Sequence, residues 1–257
     1  MGGDSVLPAL YKLVLATPPT ALRVTYRPAP PSHSPVGGKR RRWFELCLVL
    51  FISFGGSLYS GLYYLNHSPT AIPVITTARA LFGAAQSAVT IILLGYVLAR
   101  TGRKFRDIGL RWSFRDVGVG IVVLVVAVAA LLTVYRASFA VHFAIYGTAP
   151  VHHRASEFFG HFRFAMLPYF LIGPAHEELI ARAYLMTEIR ELTGSTLLGS
   201  LASLALQFTY HLYYGWWGAL TVTGMFLVFT LYFARWRRAL PILVAHELYD
   251  MFAIFHL

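Results

Sequence analysis

Residues 39–65 read KRRRWFELCLVLFISFGGSLYSGLYYL, four consecutive cations followed by an apolar run from Trp43 to Leu65. A basic cluster before an apolar stretch also describes a signal peptide, but this one begins late and its apolar part is too long. It reads as an anchor helix that stays in the membrane, because about 20 apolar residues cross the roughly 30 Å of hydrocarbon. Further stretches of this kind follow at 79–99, 116–135, 164–189, 195–214, 216–234 and 239–256. The sequence therefore predicts an all-α protein, a polytopic transmembrane bundle of about seven spans occupying residues 43–257. The stretch at 164–189 is the least regular, since it carries Pro168, Gly173, Pro174, Glu177, Glu178 and Arg182. Segment 137–163 is expected to add a short interfacial helix. Residues 1–42, with Pro18, Pro19, Pro28, Pro30, Pro31 and Pro35 ahead of the basic run, read as a tail with little fixed structure before about residue 40.

Composition agrees with a membrane protein. Of 257 residues 57% are hydrophobic and 13% charged, against roughly 25% charged in a soluble domain. The net charge of +11 is not read as a nucleic-acid surface, which would need polar surroundings to display it. It belongs to the membrane flanks. With the N-terminus in the cytoplasm, 17 of the 22 Lys and Arg residues fall on the cytoplasmic side, including Lys39–Arg42, the Arg100–Arg115 loop, Arg190 and Arg235–Arg238. Arg79, Arg136, Arg154 and Arg163 fall outside, and Arg182 falls within a span. The single cysteine, Cys47, allows neither an intrachain disulfide nor a Cys-based zinc or iron–sulfur site.

Ionisable groups inside spans are expensive and point to function. In Pro174-Ala-His-Glu-Glu-Leu-Ile-Ala-Arg182, Glu178 and Arg182 lie four apart on one helical face and neutralise one another. Glu177 is turned about 100° away and is free to act as a general base in a polar cavity. Gln207 and His211 share a second face, and His246 with Asp250 a third. A glutamate and a histidine holding one water between them can deprotonate it for attack on a carbonyl, while a second histidine stabilises the oxyanion. Two alternatives stand beside this reading. His176-Glu-Glu and His246-Glu begin like the zinc motif H-E-x-x-H without its second histidine, and His211, His246 and Asp250 could bind a metal with Glu247 as base. The same polar groups could instead hold helices together or bind an ion in a scaffold, immunity or transport protein.

Taken in order, the three stretches resemble the CPBP family of intramembrane proteases, also called the Abi or CAAX-protease-like family. Its pattern is E-E-x-x-x-R, then a phenylalanine shortly before a histidine, then H-x-x-x-N/D. Here these are Glu177, Glu178 and Arg182; Phe208 and His211, one residue closer than is usual; and His246 and Asp250. The resemblance is strong over about 164–256, the implied catalytic core. It implies a metal-independent, cofactor-free glutamate endopeptidase, in which Glu177 acts with His211 on the hydrolytic water. His246 and Asp250 would then stabilise the oxyanion, supported by Glu178 and Arg182. Asp250 stands where asparagine is frequent, and an ionised aspartate would repel an oxyanion. The implied partners are the lipid bilayer and a protein or peptide substrate, membrane-anchored or prenylated. Tyr213-Tyr-Gly-Trp-Trp217 and Arg106–Arg111 also look like family segments, but Trp216 and Trp217 are better read as interface aromatics and Arg106–Arg111 as a charged cytoplasmic loop. His152, His153 and His161 are expected in an external loop. His176 is expected to line the cavity outside the catalytic set. His33, His67, His142 and His256 have no partner that sequence names.

Overall fold

Each of the seven apolar stretches is helical in the computed structural model, which describes residues 38–66, 74–150 and 163–256; no strand occurs among them. The helices are α1 (Lys39–Asn66), α2 (Thr77–Arg100), α3 (Phe114–Tyr146), α4 (Leu167–Glu177), α5 (Leu185–Thr193), α6 (Thr196–Tyr210), α7 (Gly215–Trp236) and α8 (Leu240–His256). A π-helical turn, Glu178–Tyr184, joins α4 to α5, and a 3₁₀ turn, His211–Tyr214, joins α6 to α7. Residues 1–37, most of the expected tail, lie outside the described residues, as do His33, His67, His152, His153 and His161. The basic run Lys39–Arg42 forms the first turn of α1 rather than the end of a tail.

Helix ends follow their sequence signals. The Thr76 hydroxyl accepts from the Arg79 amide at 3.3 Å at the start of α2, and Ser195 accepts from the Leu198 amide at 3.1 Å at the start of α6. α3 does not stop near residue 135 but runs unbroken to Tyr146, so the described part of 137–163 holds no separate helix before Gly147. The reason lies in 137–146, ASFAVHFAIY, which has neither glycine nor proline to break the helix.

Four intervals among the described residues are long and apolar enough to span a membrane, rather than seven: Lys39–Tyr63, Thr77–Arg100, Phe114–Tyr146 and Thr196–Trp236. The difference has local causes. The stretch around α4 is divided by the π turn and carries Glu177, Glu178 and Arg182. α8 is 17 residues long. α6 and α7 fall within one 41-residue interval, yet they pack against each other, so the chain folds back at His211–Tyr214.

All seven residues of the π turn are buried, with Glu178, Ile180, Ala181, Arg182 and Ala183 wholly inaccessible. It packs against α1, α2, α4, α5, α6 and α7. α4 lies against α2 and α8, α5 against α6, and α3 against α7 and α8. Small residues allow the closest approaches, as expected where lipid supplies no hydrophobic drive between helices. A Cβ on Gly61 of α1 would fall 2.5 Å from the Thr209 carbonyl oxygen, so α1 meets α6 backbone to backbone beside Tyr210. The outer face of α3 presents Ile121, Val122, Val125 and Leu132, an apolar surface suited to lipid. Cys47 is likewise exposed on α1.

At the charged end of the bundle, Arg42 of α1 donates to Glu188 (2.7 Å) and Glu191 (2.6 Å) of α5, and Arg103 also pairs with Glu188. Gly109, at φ +101°, accepts from the Ala239 amide at 2.9 Å and ties the α2–α3 connection to the turn before α8. These contacts fix the ends of the helices that carry the polar motifs.

Candidate active site

Pro174 removes one backbone donor from α4 and crowds the carbonyl one turn earlier. The helix widens into the π turn four residues later, an irregularity that often accompanies functional sites. The two adjacent glutamates are separated there into different environments. Glu178 is fully buried, and its Oε1 accepts from Arg182 Nη1 at 2.9 Å and lies 2.9 Å from His246 Nδ1. Glu177 instead borders a cavity and accepts a hydrogen bond from the Tyr210 hydroxyl.

The middle motif supplies His211, at the fold-back between α6 and α7. Its Nδ1 lies 2.8 Å from the Gln207 carbonyl oxygen. A carbonyl only accepts, so Nδ1 carries the proton and a neutral ring presents Nε2 as a lone pair. The Gln207 side chain is fully buried; with its oxygen toward Arg182 Nη2 (2.8 Å), its nitrogen donates to the Tyr210 hydroxyl. Gln207 and Tyr210 thereby link the Arg182–Glu178 pair to Glu177.

The last motif lies on α8. His246 Nε2 is 3.8 Å from Asp250 Oδ1, an ion-pair separation rather than a hydrogen bond. His246 therefore sits between two carboxylates, one from the π turn and one from its own helix. Phe226 of α7 gathers the remaining rings. Its centroid lies 5.0 Å from that of His211 and 5.5 Å from that of His246, and Arg182 Cζ is 4.5 Å above it.

The structure thus links Glu177, Glu178, Arg182, His211, His246 and Asp250 through direct contacts or through Tyr210, Gln207 and Phe226. Phe208 does not join them; its ring packs edge-on against Trp216 at 5.1 Å. Tyr210 and Phe226 were missed by sequence reasoning. Tyr210 had a signal, being next to His211 and three residues after Gln207, whereas Phe226 is one apolar residue among many in α7. His142 also gains a partner, with Nδ1 2.8 Å from the Thr148 carbonyl oxygen.

A cavity of about 410 Å³ lies between α1, α2 and α4. Ser53, Ser57, Gln86, His176, Glu177 and Tyr210 are among its walls, but His211, His246 and Asp250 are not. His176 lines it as expected from sequence, its ring 5.3 Å from that of Phe54 and its Nε2 without a hydrogen-bond partner. Among the described residues no three His, Cys, Asp or Glu side chains are grouped to hold a metal ion.

Comparison with known proteins agrees with the motif reading. No curated protein and no solved structure matches the chain. Residues 159–252 match the family model described as type II CAAX prenyl endopeptidase, Rce1-like, a segment that contains every motif residue from Glu177 to Asp250. Four apolar helices and this match make the chain an integral membrane protein. Its segment 159–252 is similar to the Rce1-like CAAX proteases, the family that its three motifs resemble.

Proposed function

We propose that the protein is an intramembrane endopeptidase that cleaves a membrane-anchored or prenylated protein or peptide with an activated water. The observation that supports this best is the division of labour between Glu177 and Glu178. Glu178 is committed to Arg182 and His246 in a fully buried cluster, whereas Glu177 faces a cavity.

In this reading a water held by Glu177 and His211 Nε2 loses a proton as its oxygen attacks the scissile carbonyl. The carbonyl π electrons move onto oxygen, and His246, held between Glu178 and Asp250, donates Nε2–H to that oxyanion. Asp250, 3.8 Å from the same nitrogen, favours the protonated imidazole that donates this bond. When the tetrahedral intermediate collapses, the C–N bond breaks and the abstracted proton passes to the leaving amine. No covalent enzyme intermediate and no metal enter these steps.

The test compares peptide termini in native-host membranes carrying wild type or Glu177→Ala at matched expression and folding. Termini that disappear with Glu177 support proteolysis and identify the substrate. If the substrate proteome is well covered and no termini differ, a scaffold or ion-binding role is the better account.

A further inference from the structure

Phe114, Ile121, Val125 and Leu132 of α3 are all exposed and recur at intervals of seven, four and seven residues, so one apolar stripe runs along the outside of the helix up to its first turn. Just before that turn Trp112 packs edge-on against Phe114, ring centroids 6.0 Å apart, and the two residues are 73% and 83% exposed. Rings of this kind suit the boundary between hydrocarbon and lipid headgroups, where one side of the ring is apolar and the other wet. The stripe leads them there, because its apolar part faces lipid.

The end of α7 lies beside them. The Arg238 guanidinium reaches the buried carboxylate of Asp116, in the first turn of α3, at 2.6 Å, and the Gly109 carbonyl accepts from the Ala239 amide at 2.9 Å. The α2–α3 connection, the start of α3 and the end of α7 are thereby held side by side. Arg115 and Asp116 both act electrostatically on Tyr232, whose ring stacks on Trp236 at 4.7 Å, and Arg235 lies 5.8 Å from the centre of the Trp236 ring. Asp116 is taken by Arg238. Arg111 is directed by a bond from its Nε to the Arg106 carbonyl at 3.4 Å. Among the described residues no carboxylate forms an ion pair with Arg111, Arg115 or Arg235, and all three are exposed. The surface therefore carries three uncompensated guanidiniums interleaved with aromatic rings.

We propose that this surface, formed by Arg111, Trp112, Phe114, Arg115, Arg235 and Trp236, is a binding site for anionic phospholipid headgroups. The rings set the depth of the surface at the edge of the hydrocarbon, and the guanidiniums meet the phosphates there, each able to make two parallel N–H···O bonds. Continuity with the lipid-facing stripe of α3 is what favours a lipid over an acidic protein, which would have to cover Phe114 and Trp112 from the headgroup layer. Net negative charge decides among lipids, because every phospholipid carries a phosphate but a zwitterionic headgroup brings its own cation to compete with the arginines.

The test uses purified full-length protein in detergent, mixed with equal amounts of phosphatidylglycerol and phosphatidylcholine, and counts the lipids that stay bound by native mass spectrometry. Wild type is expected to retain its first phosphatidylglycerol about fivefold more strongly than its first phosphatidylcholine, the equivalent of one cation at an anionic surface. The ratio should fall toward one when Arg111→Gln, Arg115→Gln and Arg235→Gln are combined. It should keep its wild-type value when Lys39→Gln, Arg40→Gln and Arg41→Gln are combined, which removes the same charge from the start of α1. Both lipids are read in one spectrum of the folded protein, so the ratio does not depend on the folded fraction. Arg115→Gln alone, an exposed substitution, should lower the ratio about twofold and keeps the test open if the triple variant does not fold. Equal retention of the two lipids by wild type overturns the proposal. So does a preference that survives in the triple variant, or one that is lost to the same extent from the α1 variant.

Discussion

The carboxylate of Glu178 holds His246 from 68 residues away, Oε1 to Nδ1 at 2.9 Å, with the same oxygen accepting from Arg182 at 2.9 Å. A motif residue that sequence assigned to a helix-internal ion pair is therefore also the orienting partner of a histidine on another helix. Three motif residues on two helices become one unit, and loss of Glu178 would leave the buried Arg182 guanidinium without its carboxylate.

Glu178→Ala should accordingly destabilise the protein by about 3–5 kcal/mol, the usual cost of stripping one partner from a buried ion pair. Glu178→Gln retains an acceptor for Arg182 and His246 and should cost less. Unfolding midpoints in detergent measure both. Equal stability of Glu178→Ala and wild type would show that the carboxylate does not hold Arg182 and His246 together.

Tyr210→Phe tests the arm on the other glutamate. The ring stacks on Phe54 at 5.1 Å, and phenylalanine preserves this contact. The hydrogen bond from the hydroxyl to Glu177 is lost. The expected result is a folded protein whose turnover drops about 10-fold, the kinetic equivalent of one hydrogen bond to a charged group. Turnover equal to wild type would mean that Glu177 needs no positioning by Tyr210.

How much of this could be read from the sequence depends on range. The seven helical stretches were legible, because apolar runs of about 20 residues and their basic flanks are local signals. The span count was less so: α6 and α7 are separated by a turn at His211–Tyr214 rather than a polar loop, and α8 has 17 residues. Glu178 and Arg182 were readable as a pair from their spacing, and the bond is present. The π turn was not readable. Gly173 and Pro174 marked the segment as irregular, but nothing local fixes where the helix widens. The Glu178–His246 bond and the gathering of rings on Phe226 join residues far apart in sequence, and one sequence contains no record of such pairings. The boundary of α1 moved for the opposite reason: Lys39–Arg42 look like a solvated run, but Arg42 is held in the helix by Glu188 and Glu191.

That contact yields a prediction remote from the site. The Glu188 side chain is 3% exposed and serves both Arg42 and Arg103. Glu188→Ala should cost about 3 kcal/mol and loosen the junction of α1, the α2–α3 connection and α5. Arg41→Ala is the contrast. Its side chain is 35% exposed and among the described residues it pairs only with Glu45, one turn away, so the loss should stay within about 0.5 kcal/mol. Detergent unfolding of the two variants checks the order, and an equal loss in both would show that burial does not decide the value of these pairs.

The metal alternative makes an opposite prediction from the same histidines. A catalytic zinc needs three protein ligands and an open position. His246 Nδ1 is engaged by Glu178 and His211 Nδ1 by the Gln207 carbonyl, which leaves the two Nε2 atoms and Asp250 for a metal, and among the described residues these side chains are not grouped to hold one. The peptidase reading therefore expects turnover to survive exhaustive dialysis against a chelator, and zinc to remain well below one equivalent in purified protein. One equivalent of zinc, lost together with activity in His246→Ala, would reassign His211, His246 and Asp250 as ligands. Glu247, half-buried beside His246 with one oxygen lacking a hydrogen-bond partner, would then be the carboxylate to test as the base.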